Sequence, residues 1–269
     1  MANHVSKYFS KKYATYGIAK EAGTSNGIKT FSSEHLASIP IQPDYIIICH
    51  AAVESGKTLL PSGLLYSVNV ELTKRIVSQF KFAKIIYISS ASIYDANSPL
   101  IDEASPISPQ SEYAISKLWA EKLVLQHSQS VVIRPSSIYG IGMKANTIIP
   151  NYVEQALGMK QIEVWGKGDR LQNYIHVGDA TKFIDCVIEN FECVASKVLL
   201  MVSNQEWSNK QLALIVAKST NATIKFVNDD FSKSLRYDNS LSCSLINWLP
   251  TRNFETEISN YIQWKIKQF

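Results

Sequence analysis

Four short runs decide the fold: DYIIIC at 44–49, KIIYIS at 84–89, VVIR at 131–134 and VLLMV at 198–202. Each is apolar at successive positions and rich in β-branched residues, which predicts parallel strands covered on both faces by helices. Between them, 64–80 and 112–126 carry apolar residues at helical spacing, for example Ala114, Leu118, Leu123 and Leu125 with charges between. Strand alternates with helix, so the predicted class is α/β with a doubly wound parallel sheet. After Gly140 the rhythm weakens into short aromatic-rich pieces. That change divides the chain into a main domain over 1–140, with 182–217 returning to it, and a smaller lobe from 141–181 and 218–269.

Composition narrows the class of function. The 269 residues are 46% hydrophobic and 19% charged, which excludes a disordered chain. The net charge is +4, and Lys and Arg alternate with acids instead of forming a basic stripe, so nucleic acid is not an expected partner. Lys7, Lys11 and Lys12 read as a solvated helix face. Cys49, Cys186, Cys193 and Cys243 form no CxxC pair and have no His at zinc-ligand spacing, which predicts free thiols, a reducing compartment and no metal. No apolar run approaches the ~20 residues that span a bilayer, so the expected location is the cytoplasm, without membrane association.

The tract 94–110 contains Pro99, Pro106 and Pro109 and no periodicity; it is a loop leaving the KIIYIS strand, at the sheet edge where α/β proteins bind ligands. A Tyr four residues before a Lys puts both side chains on one helix face, where an ammonium favours the phenolate and a tuned Tyr exchanges protons near neutrality. The spacing occurs at Tyr8/Lys12, Tyr16/Lys20, Tyr113/Lys117 and Tyr261/Lys265, so alone it decides nothing. Only Tyr113/Lys117 opens a helix after a loop from a strand ending in Ser89 and Ser90. The other three read as surface pairs.

In this context the chain resembles the extended short-chain dehydrogenase/reductases, the NAD-dependent epimerase/dehydratase family. The similar segments keep family order: PDYIIICHAA at 43–52, Asn69 in SVNVELT, IIYISSASIYD at 85–95, SEYAISKLWAEKL at 111–123, VIRPSSIYGIG at 132–142, VWGKGDRLQNYIHVGDAT at 164–181 and INWLPTRNFETEI at 246–258. The resemblance implies a Rossmann-like sheet, NAD or NADP as cofactor, a nucleotide-diphospho-sugar substrate and a homodimer built from the helices at 64–80 and 112–126. It implies that Tyr113 is the general acid/base. Lys117 would hold the nicotinamide ribose and depress the Tyr113 pKa, and Ser90 would hydrogen-bond the reacting sugar oxygen. Ser89, His50, Ala51 and Ala52 would line the cofactor, Asn69 would brace the helix beneath, and Pro135 would border the nicotinamide. Ser92, Ser137, Arg170 and Arg236 are the candidate substrate contacts, with Arg236 alternatively an ion pair with Asp238.

Departures from the family pattern matter as much. Relatives begin with a strand and a GxxGxxG loop that lets backbone approach a pyrophosphate at a helix N-terminus. Here Gly17, Gly23 and Gly27 are too widely spaced and follow the first predicted helix, at 2–12, instead of preceding it. The strand expected at 13–20 then lacks its central neighbour. Buried unpaired backbone groups cost about 1–3 kcal/mol each, so the sheet is expected to close over the gap, with 13–20 pairing with 45–49 or displaced. Family dehydratases and decarboxylases resemble each other in carrying acids just beyond the Ser/Thr, where Ala91 and Ser92 stand here, so an epimerase or 4-keto reductase is expected. The alternative is a cofactor-impaired relative acting as a binding or partner subunit. Arg170 is the substitute for the Arg usual before Tyr174, where Gln172 and Asn173 stand, and Ser137 replaces the usual Asn.

Overall fold

The apolar runs form the strands expected of them in the computed structural model, which describes residues 1–54 and 59–268. The chain opens with α1 (Ala2–Phe9), followed by three short strands, β1 (Gly17–Ala19), β2 (Gly23–Ser25) and β3 (Ile28–Ser32). Asn26 and Gly27, both at positive φ, close the β2–β3 hairpin, because a two-residue turn that follows strand twist needs left-handed backbone. Next come β4 (Tyr45–Ile48), α2 (Ser62–Leu65), a π-helical stretch (Tyr66–Glu71), α3 (Leu72–Gln79), β5 (Lys84–Ile88), α4 (Glu112–Val124) and β6 (Ser130–Pro135). After β7 (Ser137–Tyr139) follow α5 (Ile148–Met159), β8 (Gln161–Trp165), β9 (Leu171–His176), α6 (Val177–Glu189), α7 (Phe191–Val194), β10 (Val198–Met201), β11 (Glu206–Ser208), α8 (Asn209–Thr220), β12 (Thr223–Val227), α9 (Ser240–Ile246) and α10 (Phe254–Ile266).

The main sheet has the order β10-β6-β5-β4, every pair parallel. Its faces are covered differently. One packs β5 and β6 residues Ile86, Ile88, Val131 and Ile133 against α1 and α6, through Val5, Phe9, Phe183 and Ile184. The other packs Ile85, Tyr87 and Val132 against α3 and α4, through Ile76, Ala120 and Val124. Helices on both faces make the sheet doubly wound. Among the pairs read as surface decoration, Tyr8/Lys12 has a different role: Tyr8 Oη donates to Asp185 Oδ2 at 2.6 Å, and Lys12 forms an ion pair with the same carboxylate. Lys12 therefore does not simply face solvent; it ties α1 to α6.

Of the two outcomes expected for 13–20, direct pairing with β4 is absent and displacement is what is found: β1 pairs with β3 in a separate sheet of order β1-β3-β2, and no strand among the described residues covers the outer edge of β4. The expectation assumed that these edges would be buried. Tyr45, Ile46 and Ile47 are only partly buried, and Ile18 and Ala19 are exposed, so water can satisfy the unpaired groups.

A second core lies among α5, α8, α10 and the β8–β12 pair, through Val153, Ala156, Ile162, Leu212, Ala213, Val216 and Ile258. The segment predicted to return to the main sheet, 182–217, does so only through α6, α7 and β10. α8 belongs to the second core because its buried side chains face α5 and α10, whereas Cys243, Ile246 and Trp248, assigned from sequence to the lobe, pack on the main one.

Candidate active site

At the carboxyl end of β5 the chain turns sharply. Ser90 caps a single 3₁₀ turn at Ala91–Ile93: its Oγ accepts from Ser92 N at 3.2 Å and lies 2.8 Å from Ser92 Oγ. Ser89, beside it, is buried, and its backbone N–H donates to Ile133 O, which fixes the strand end. After the 94–110 loop, Ser111 caps α4 by accepting from Ala114 N, so Tyr113 enters in the first helical turn. Burial raises the Tyr113 pKa, and an interaction with the Ser90 hydroxyl pulls it back down.

Lys117 follows one turn later and is 1% exposed. Its Nζ donates to Ile88 O at 2.7 Å and stands 4.2 Å from the centre of the Tyr87 ring. Burial pushes its pKa down to about 7, opposed by the Glu121 carboxylate and Cys49. In this geometry Lys117 is engaged with the end of β5.

The β4 end is braced from a helix. Asn69 is fully buried in the π-helical stretch, whose widened turn turns its amide inward. Its Oδ1 accepts from Ala52 N at 2.8 Å, and its Nδ2 donates to Ala52 O and to Ser116 Oγ at 3.0 and 2.9 Å. Asn69 thus locks Ala52 to α4. His50 points to the same helix: Thr73 Oγ1 donates to Asn69 O, leaving its oxygen to accept from His50 Nε2 at 3.2 Å. Burial lowers the His50 pKa to about 4, with Lys117 adding to the effect, so His50 is a neutral tether more than a cofactor-facing side chain. Ala51 is partly buried at the same strand end, and Pro135 is buried at the end of β6.

A group that sequence reasoning missed lies behind Lys117. Arg134, 4% exposed on β6, donates to both oxygens of Glu121 at 3.0 and 2.7 Å and stacks 4.7 Å from the centre of the Tyr94 ring. The signal was present: an Arg inside the apolar run VVIRP must find a partner when the strand is buried on both faces.

The candidate substrate contacts are more dispersed. Ser92, Ser137 and Arg236 are exposed. Arg170 Nε donates to Lys233 O and Gln172 to Asn209 Oδ1, which ties the lobe to itself, and Asn173 bridges Ser136 Oγ and the backbone of Ser203, which ties the lobe to the ends of β6 and β10. Asp238 accepts from Ser240 N, and no ion pair with Arg236 forms among the described residues. No group of metal-binding side chains is present among those residues, and none of their helices is long and apolar enough to cross a membrane.

A profile of the NAD dependent epimerase/dehydratase family matches residues 3–199. The chain belongs to that family. Human dTDP-D-glucose 4,6-dehydratase is 26% identical over 226 residues, covering 75% of this chain and 63% of the human protein. dTDP-glucose 4,6-dehydratase of Actinoplanes sp. is 24% identical over 233 residues, 81% of this chain and 72% of that protein. The chain therefore spans a little under two thirds of the human relative's length. Among solved structures, UDP-glucuronic acid 4-epimerase from Bacillus cereus in complex with NAD is similar with a TM-score of 0.84 at 17% identity, over 98% of this chain and 95% of that one. dTDP-glucose 4,6-dehydratase from Bacillus anthracis in complex with NAD gives 0.80 at 21% identity, over 99% and 93%. At such identities the likeness establishes the Rossmann-like α/β fold.

The residues present fit half of the dinucleotide. Tyr113, Lys117, Ser89 and Pro135 converge on the carboxyl ends of β5 and β6, where the nicotinamide riboside would sit. For the pyrophosphate there is no matching cradle among the described residues, since Gly17 opens β1, Gly23 opens β2 and Gly27 lies in their hairpin turn, all after α1.

Proposed function

We propose that the chain is a nucleotide-diphospho-sugar 4-epimerase or 4-keto reductase in which Tyr113 moves the proton at the sugar C4 oxygen. The observation that carries this reading is that α4, with Tyr113 in its first turn, packs on the turn capped by Ser90 and sends Lys117 to the end of the same strand, β5. Bound NAD or NADP supplies hydride exchange. Ser90, held by the Ser92 backbone, would hydrogen-bond the C4 oxygen, and Tyr113 would give or take its proton. Lys117 would exchange its bond to Ile88 O for the nicotinamide ribose hydroxyls. Ser92, Ser137, Arg170 and Arg236 are the proposed contacts to the nucleotide sugar, Arg236 being exposed and not committed to an ion pair.

The human and Actinoplanes relatives are named dehydratases, but elimination needs an acid beside the reacting carbons, and Ala91 and Ser92 supply none. Neighbouring carboxylates are committed elsewhere: Glu103 to Ser242, Glu112 to Ser62, Glu121 to Arg134 and Asp95 to Asn97. Incubation with UDP- and dTDP-hexoses and NAD(P), followed by NMR of the sugar, should show C4 inversion or reduction of a 4-keto sugar. Tyr113→Phe should lower turnover by about 10²–10⁴ with unchanged thermal unfolding; undiminished turnover refutes the assignment, and a 6-deoxy-4-keto product would move it to the dehydratases.

A homodimer is part of the same proposal. On the helices at 64–80 and 112–126, Leu65 is buried and Leu72, Leu118 and Leu125 are partly buried, so these side chains are turned inward. Instead Leu64, Tyr66, Ile115 and Trp119 form an exposed apolar patch across α2 and α4, with the Tyr66 and Trp119 rings 5.3 Å apart. Light scattering at micromolar concentration should give twice the chain mass, falling to the monomer in Trp119→Glu. A monomeric wild type would remove the dimer.

A further inference from the structure

Cations lie over aromatic rings at several places in the molecule. Some are solvent-facing, such as Lys12 over Tyr8 at 5.0 Å, Lys84 over Tyr45 at 5.4 Å and Lys210 over Phe226 at 5.9 Å. Two are buried: Arg134 over Tyr94 at 4.7 Å and Lys117 over Tyr87 at 4.2 Å. The two buried cations are partnered differently. Arg134 has a carboxylate, since both Glu121 oxygens accept from it. Lys117 stands one turn before Glu121 on α4, yet among the described residues it forms no ion pair, and its one hydrogen bond goes to Ile88 O.

A buried ammonium without a counter-ion is among the least tolerated groups in a protein interior. The titratable groups that face Lys117 are Tyr113 and Glu121 from α4, Cys49 and His50 from the end of β4, and Tyr87 from β5. Glu121 is taken by Arg134. Burial keeps the Cys49 thiol and the Tyr113 phenol protonated and His50 neutral, so none of these supplies a free negative charge. What remains is the Tyr87 ring, fully buried beneath the ammonium. The negative face of an aromatic ring attracts a cation, and more strongly where water is excluded. The phenol oxygen is not what the site uses: Tyr87 Oη has no hydrogen-bond partner among the described residues.

We propose that Tyr87 is a positioning residue for Lys117: its ring face holds the ammonium at the end of β5 in place of a counter-ion. A carboxylate in the position of the ring would draw the N–H groups to itself. A ring face attracts the charge without a directed bond, so an ammonium with three donors keeps N–H groups that can turn to the hydroxyls of a ligand. What those donors then do rests on the reading of Lys117 as the residue that meets the nicotinamide ribose. The placement of the ammonium by the ring does not.

Carbon-13 NMR of the full chain labelled at lysine Cε follows the Lys117 titration directly, with Lys117→Met identifying its resonance. Tyr87→Phe keeps the ring face and removes the unpartnered hydroxyl, so the Lys117 midpoint should stay at its wild-type pH. Phenylalanines bearing increasing numbers of fluorines at position 87 withdraw electron density from the face at nearly constant ring volume. They should lower the midpoint stepwise, by about one pH unit over the series. A midpoint that is constant across the fluorinated series, or that already drops by the full amount in Tyr87→Phe, would overturn the proposal. Calorimetry of the same proteins with NAD and NADP separates it from the proposed function. Dinucleotide affinity falling in the same order would extend the role of Tyr87 to cofactor binding. No binding by any of the proteins, with the NMR order intact, would remove the proposed function and leave the placement of Lys117 by Tyr87 standing.

Discussion

The β5–β6 half of the main sheet and the small β1–β3–β2 sheet each contain a parallel pair, yet one is dry and the other mostly wet. In β5, Ile85, Ile86 and Tyr87 are fully buried, and every residue of β6 is buried. In β1 and β2 only Gly17 is even partly covered. Water can satisfy polar backbone in the small sheet, so GIA and GTS suffice there. In the dry half Arg134, Glu121, Lys117 and Asn69 find partners inside the protein, while the buried hydroxyls of Tyr87, Ser89 and Ser130 have none among the described residues. Precise placement of chemical groups follows from that pairing, and the candidate catalytic set lies in the half that shows it.

Cofactor affinity should divide along the same line. The dry half offers the nicotinamide side its residues, whereas the wet half offers no glycine turn to a pyrophosphate. Losing several charge-assisted backbone hydrogen bonds, each about 1.5–3 kcal/mol, should leave NAD and NADP with dissociation constants on the order of a millimolar. A second reading, a non-catalytic relative acting as a binding or partner subunit, rests on this contrast. Calorimetry with both dinucleotides decides: a micromolar constant would break the comparison and remove that reading, and no binding at millimolar cofactor would favour it over catalysis.

A smaller effect, but one confined to the dry half, is expected from Arg134→Met. It leaves Glu121 buried without its partner, and breaking such a pair costs about 3–5 kcal/mol. The double variant Arg134→Met/Glu121→Leu should recover most of the loss. Urea unfolding measures both, and a single variant as stable as wild type would mean that water reaches Glu121 and that the half is less dry than described.

Much of this was legible in the sequence and some was not, for physical reasons. The strands at 45–48, 84–88, 130–135 and 198–201 announce themselves because strands packed between helices favour runs of apolar, β-branched residues, with Arg134 the buried exception. Ser90 and Tyr113 were legible because a strand end and a helix cap fix their positions from local sequence alone. The three short N-terminal strands were harder: solvent tolerates many sequences there, and only Asn26-Gly27 carried a turn signal. Side-chain direction was least legible. His50 and Lys117 sit where expected, but what they bond to, Thr73 and Ile88 O, depends on packing partners distant in sequence.

The finest test of the contrast is a pH dependence. The folded Lys117 pKa, pushed down to about 7, lies below its unfolded value near 10.4. Between these values the unfolded chain holds a proton that the folded chain lacks, so stability contributed at this site rises with pH, and the burial cost of Lys117 is felt in full below pH 7. Cys49 works the other way, because burial pushes its thiol up to about 11 and costs stability as pH climbs past its unfolded range near 8.5. The clean window is therefore pH 7 to 9, where Lys117 dominates. In Lys117→Met the slope should flatten, so the stability gained over wild type should be largest at pH 7 and shrink by about 2 kcal/mol by pH 9. Urea unfolding of both proteins at pH 7, 8 and 9 measures this. A difference that stays constant across the window would mean that Lys117 remains charged in the folded state, and would place a polar pocket where the structure has the Tyr87 ring and the end of β5.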